Sequence, residues 1–91
     1  MEEDLIFKAK QMWKEGDSAQ ALTLLSDPSL KENPQAVFLS GEIRYKSQEW
    51  GLALNCFRHC LQMDPENVAA QIYVDLILNI LGFFHTDQFN P

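Results

Sequence analysis

The chain has only four glycines, four prolines and two cysteines in 91 residues, and no long apolar run. Few glycines and prolines leave room for long regular helices and argue against a loop-rich or collagen-like chain. Two cysteines are too few for a disulfide scaffold. Cys56 and Cys60 stand four apart within a helical pattern, a poor arrangement for pairing with each other, so two reduced, packed thiols and a cytoplasmic location are expected. A membrane span needs roughly 20 apolar residues. The stretch from Val68 to Phe84 comes nearest, but Gln71, Asp75 and Asn79 interrupt it. The start, Glu2–Glu3–Asp4, is the opposite of a basic signal-peptide opening.

Basic charge is also scarce. Seven Lys and Arg face thirteen Asp and Glu, for a net charge of −6. Such a chain is repelled by nucleic acid and by anionic membrane surfaces, so neither is expected as a partner. Apolar residues make up 46 %, too many for disorder.

What is present is helical periodicity, almost from end to end. Leu5, Ile6, Ala9, Met12 and Trp13 form one stripe, and Ala21, Leu22, Leu24 and Leu25 a second. Val37, Phe38, Gly41 and Tyr45 form a third, with Ile43 beside them, and Trp50, Ala53, Leu54, Phe57, Cys60 and Leu61 a fourth. Val68, Ile72, Leu76 and Ile80 belong to a fifth. The breaks carry capping chemistry. Asp17 or Ser18 opens the second helix, Asn33–Pro34 the third, and Asp64–Pro65–Glu66 the fifth. Five helices are predicted, over 2–14, 18–26, 34–46, 49–63 and 65–82. The expected fold is all-α in a single domain covering 1–91.

The chain also repeats. Ala9, Gly16, Ala21 and Leu25 recur as Gly41, Gln48, Ala53 and Phe57, each 32 residues on. Each unit reads as a helix, a short turn and a second helix, and a period in the low thirties is a repeat signal. In the second unit a small residue (Gly41) sits in mid-helix. Ala53 and Phe57 stand four apart in the next helix, Cys60 supplies a second small residue, and Asp64–Pro65 closes the unit. This unit resembles the tetratricopeptide repeat (TPR) family. The small residues let antiparallel helices approach to roughly 8–10 Å. Val37 and Ser40 depart from the family's early aromatic and Leu, and Arg44 from its usual Tyr. The closing segment, Phe83 to Pro91, is similar to that of small stand-alone bacterial members. The resemblance implies hairpins stacked as a short right-handed superhelix of about two and a half repeats: one over 2–33, one over 34–65, and a half-repeat with tail over 66–91, in which Asp75 falls where a small residue belongs.

In such stacks the first helix of each hairpin lines a concave face. The resemblance therefore places Ile6, Lys10, Trp13 and Lys14 in a groove, with Gln35, Phe38, Glu42, Tyr45 and Lys46 from the third helix and Ile72, Leu76 and Asn79 from the fifth. Trp and Tyr are common binding anchors, and Lys10, Lys14 and Lys46 would attract an acidic or C-terminal peptide. Trp13 and Tyr45 also precede turns, where they can instead pack on the next hairpin. The Asn-rich carboxylate clamp of chaperone-binding members is missing from helices one and three. The expected function is a protein–protein interaction module that takes a peptide or helix of a partner.

Two other readings stand beside it. The fifth helix is apolar on nearly all sides and calls for cover. Either Phe83, Phe84 and Phe89 fold back over it, or two chains dimerise through 68–84. Cys56, His59 and Cys60 lie within five residues, a possible start of a zinc or nucleophile site, but no fourth ligand or orienting group is evident. No phosphate loop, metalloprotease or serine-nucleophile motif occurs. Neither catalysis nor a cofactor is expected.

Overall fold

A computed structural model describes residues 1–82. They form five α-helices and one short 3₁₀ turn: α1 Glu2–Lys14, α2 Ser18–Leu25, the 3₁₀ turn Pro28–Leu30, α3 Pro34–Lys46, α4 Trp50–Met63 and α5 Val68–Leu81. No strand occurs among the described residues, and the all-α expectation holds. The segment with Phe83, Phe84 and Phe89, expected to fold back, lies outside the described residues, as does the end of the 68–84 segment.

Local chemistry sets the helix starts. The Gln20 N–H donates to Asp17 Oδ1 at 3.0 Å, so Asp17 is the cap of α2. Asn33 Oδ1 accepts from the Gln35 and Ala36 N–H groups at 2.9 and 3.2 Å, ahead of Pro34 in the first turn. The fifth helix departs from expectation, starting three residues late. Asp64 accepts only from the Glu66 N–H, at 3.2 Å, within a turn. Asn67 is the true cap, its Oδ1 accepting from Ala70 N–H at 3.0 Å. Asp27–Pro28 likewise opens an extra 3₁₀ turn, which drops Leu30 into the core at 1 % exposure.

The two turns inside the hairpins are built alike. Gly16 N–H bonds to Trp13 O and Asp17 N–H to Met12 O; 32 residues later Gln48 N–H bonds to Tyr45 O and Glu49 N–H to Arg44 O. Both turns need a left-handed residue, Gly16 at φ 91° and Gln48 at φ 63°. Gln48 is the only non-glycine among the described residues to adopt it.

Two clusters make one elongated core. Ile6, Ala9, Ala21, Leu25, Leu30, Ala36, Leu39 and Ile43 fill the first. Ala53, Leu54, Phe57, Cys60, Ala70, Val74 and Ile77 fill the second, with Val37, Phe38, Tyr45 and Tyr73 against it. Helix α3 feeds both, because it is sandwiched between the first hairpin and α4. Phe57 is fully buried, stacked flat on Tyr73 at 4.3 Å between ring centroids and met edge-on by Phe38 at 5.4 Å.

Candidate functional site

A cleft of about 550 Å³ opens between α1, α3, the α4–α5 turn and the start of α5. Lys10 stands on one bank. Pro34, Gln35, Phe38, Leu39 and Glu42 form the middle, and Asp64, Asn67 and Ala69 form the far bank. The capping geometry of Asn33 and Asn67 fixes where α3 and α5 begin, and so fixes both ends of this cleft.

Aromatic packing holds its floor. Phe38 is half-buried, with edge contacts to Phe57 and to Tyr73 at 5.4 and 5.8 Å. The Tyr73 hydroxyl donates to Glu42 Oε2 at 3.3 Å, which ties α5 to α3 and orients the carboxylate. Burial raises the Tyr73 pKa first, and the Glu42 charge adds to it. The phenol therefore stays a donor at neutral pH. One ammonium, two carboxylates and the amides of Gln35 and Asn67 surround an aromatic floor. That array can hydrogen-bond a polypeptide backbone and bury a modest apolar side chain.

Four of the twelve expected groove residues thus meet here: Lys10, Gln35, Phe38 and Glu42. Trp13 and Lys14 line a smaller hollow of about 310 Å³ with Lys10, Phe7 and Gln11. Phe7, 62 % exposed, escaped the sequence reading because it stands off the apolar stripe of α1. Tyr45 takes the packing role, its ring edge-on to Trp50 and Tyr73 at 5.3 and 5.0 Å. Lys46 is exposed at the end of α3.

One expectation needs correction. Ile6 is a core residue, 5 % exposed and packed with Ala9, Ala21 and Leu39. Helix α3 lies against that side of α1, so Ile6 offers nothing to a partner. In α5 the helix packs on α4 through Ala70, Val74 and Ile77, with Tyr73 alongside. Ile72, Leu76 and Asn79 are exposed on the side away from α4, but they are not among the residues that line this cleft. Periodicity could not separate the two faces, since both are apolar. Tyr73, Asn67 and Ala69, which the sequence reading passed over, are the α5-side contributors.

The thiols sit at the back of the molecule's second cluster. Cys60 is fully buried, with its Sγ 3.9 Å from the Pro34 carbonyl oxygen. Its pKa is raised from 9.0 to about 11, chiefly by burial and further by Cys56 beside it. Burial also raises Cys56, against the pull of Arg44. Neither is an activated thiolate. His59 Nε2 lies 3.5 Å from Glu32 Oε1. Among the described residues no group of three metal-ligating side chains converges, and no helix is long and apolar enough to cross a membrane.

In comparisons by sequence and by structure, no family model, no curated protein and no solved structure matches the chain.

Proposed function

We propose that this chain is a non-catalytic, TPR-like protein-binding module of the cytoplasm, and that its cleft takes a segment of another protein. The observation that carries the reading is the convergence of the first helices of all three units on one cleft, with Phe38 in its floor and Lys10, Gln35, Glu42 and Asn67 around it. An aromatic floor with satisfied, oriented polar groups is the usual make-up of a peptide site. The repeated turns of the two hairpins support the family resemblance independently of the cleft. With Glu42 and Asp64 beside Lys10, the lining carries more negative than positive charge, so the favoured segment is not an acidic one. It is an extended or helical stretch with a modest apolar anchor for Phe38 and backbone groups for the amides.

The test is to obstruct the cleft without touching the core. Ala69 is exposed on the first turn of α5, and Ala69→Arg fills the cleft from that bank. Affinity capture from native lysate compares wild type, Ala69→Arg and a control, Arg58→Ala, on the exposed face of α4. The reading expects partners that Ala69→Arg loses and Arg58→Ala keeps. Partners that survive Ala69→Arg unchanged, with helicity intact, would place binding elsewhere. A second reading, self-association through α5, draws on the exposed apolar residues Val68, Ile72, Leu76 and Ile80 of that helix.

A further inference from the structure

The cleft does not end at the start of α3. It shares Pro34 and Gln35 with a second hollow of about 670 Å³, lined also by Met1, Glu2, Glu3 and Asn33. The two make one open groove that runs from Glu42 past Phe38 and Gln35 to the first turn of α1. Glu42 and Asp64 line one part of it, Glu2 and Glu3 the other. None of these four carboxylates pairs with a cation among the described residues. Two are held by neutral donors, which orient the carboxylate and leave its charge in place. The Tyr73 hydroxyl donates to Glu42 at 3.3 Å, and Asn33 Nδ2 donates to Glu2 at 2.8 Å. Among the described residues Lys10 is the one Lys or Arg on the lining, and the Met1 ammonium lies 3.7 Å from Asp4. Lys14 and Lys46 line neither hollow.

We propose that the segment taken by this cleft is basic, an extended stretch with two cationic side chains about three residues apart. One, an Arg, lies over the Phe38 ring and pairs with Glu42. The other, a Lys or Arg, meets Glu2 and Glu3. The proposal rests on the cleft reading and adds the charge of the occupant. Three observations carry it. Phe38 and Glu42 stand four apart on α3 and so share a face. A planar guanidinium can stack on that ring and hydrogen-bond the carboxylate beside it. Gln35, where the two hollows meet, precedes Glu42 by seven residues. That is about 10 Å along the helix, which an extended chain covers in about three residues. Finally, the net charge of −6 surrounds the groove with a field of the same sign, which draws a basic segment in. Lys10, on the α1 bank, donates to a backbone carbonyl of the segment.

The experiment is an amide NMR titration of the full chain with synthetic peptides. The probe carries two arginines three residues apart around a leucine; its counterparts carry two glutamines or two glutamates instead. The expected result is that the arginine peptide shifts the Gln35, Phe38, Glu42 and Ala69 amides. It should bind about tenfold more tightly than the glutamine peptide, as two partly exposed ion pairs allow, and should weaken as salt is added. Glu42→Gln, which keeps an acceptor for Tyr73, should remove most of that preference and leave the glutamine peptide unaffected. Glu15→Gln, at an exposed residue outside the groove, removes the same charge and should change nothing. Equal binding of the arginine and glutamine peptides in the cleft would overturn the charge assignment and leave the cleft reading standing. A preference that survives Glu42→Gln, or falls equally with Glu15→Gln, would overturn it too, as adhesion to the overall charge. So would tighter binding of the glutamate peptide. Cleft amides that stay unmoved by all three peptides would sink the cleft reading along with the proposal.

Discussion

Gly41 and Phe57 meet where α3 crosses α4: a methyl group added to the Gly41 Cα would stand 2.8 Å from Phe57 Cζ and 3.1 Å from Cys56 Cβ. Real side chains do not approach that closely. The ring has nowhere to go, because Tyr73 is stacked on its face and Phe38 abuts its edge.

Gly41→Ala should therefore destabilise the fold by about 1 kcal/mol. Overpacking costs ~1–3 kcal/mol and outweighs the up to ~1 kcal/mol that Ala gains over Gly in a helix interior. Gly41→Leu should cost more than Gly41→Ala. Urea denaturation checks both. An alanine variant as stable as wild type would mean the helices can separate at no cost. At Gly51, where nothing lies within 4 Å of the added methyl, the same substitution should stabilise.

Gln48→Gly should stabilise by ~0.5–1 kcal/mol. Gln48 holds φ 63°, a conformation that a side chain resists and glycine adopts freely. Gly16 occupies the matching place in the first hairpin. The expected readout is a higher urea midpoint with an unchanged slope. A lower midpoint would show that the Gln side chain contributes more than its backbone strain takes away.

Asn67→Ala should cost ~1 kcal/mol, as expected for a lost N-cap, because it leaves the N–H of fully buried Ala70 without its acceptor. Asp64→Ala should cost less, since Asp64 serves only an exposed turn. For a domain of this size 1 kcal/mol moves Tm by about 4–8 °C, so thermal unfolding separates the two. Equal losses would return the cap to Asp64.

Stability should fall in alkali. Cys60 is raised from 9.0 to about 11, and Cys56 and Tyr73 are raised too, all mainly by burial. A raised folded pKa means the native state holds its proton more tightly than the unfolded chain. The stabilisation is complete below pH 9 and is lost as pH rises through about 11. Urea midpoints should be level from neutral pH to pH 9 and then decline. Cys60→Ala should flatten part of that decline, at the expense of a lower midpoint throughout. A decline of the same steepness in the variant would assign the effect to Tyr73 and Cys56.

Much of the secondary structure was legible because it is written locally. Asp17, Asn33–Pro34 and the apolar period of 3.6 place α2 and α3 within a residue or so of their observed bounds. The exceptions are physical. Asp64–Pro65 reads as the cap of α5, and only the 3.0 Å bond from Ala70 N–H shows that Asn67, three residues on, serves instead. The cleft was half legible: Lys10, Gln35, Phe38 and Glu42 follow from the repeat register, whereas Ile6 followed the same register into the core.

What the sequence determines by itself is the all-α class, the five helices and the 32-residue recurrence, because capping, propensity and periodicity act within a turn or two of the chain. What only the tertiary structure decides is which side of an evenly apolar helix is inside. Helix α5 could bury Ile72 and Leu76 or Val74 and Ile77 with similar gain in apolar area. The choice goes to the face that lets Tyr73 stack on Phe57 and reach Glu42, a contact between residues far apart in the chain that no local pattern encodes.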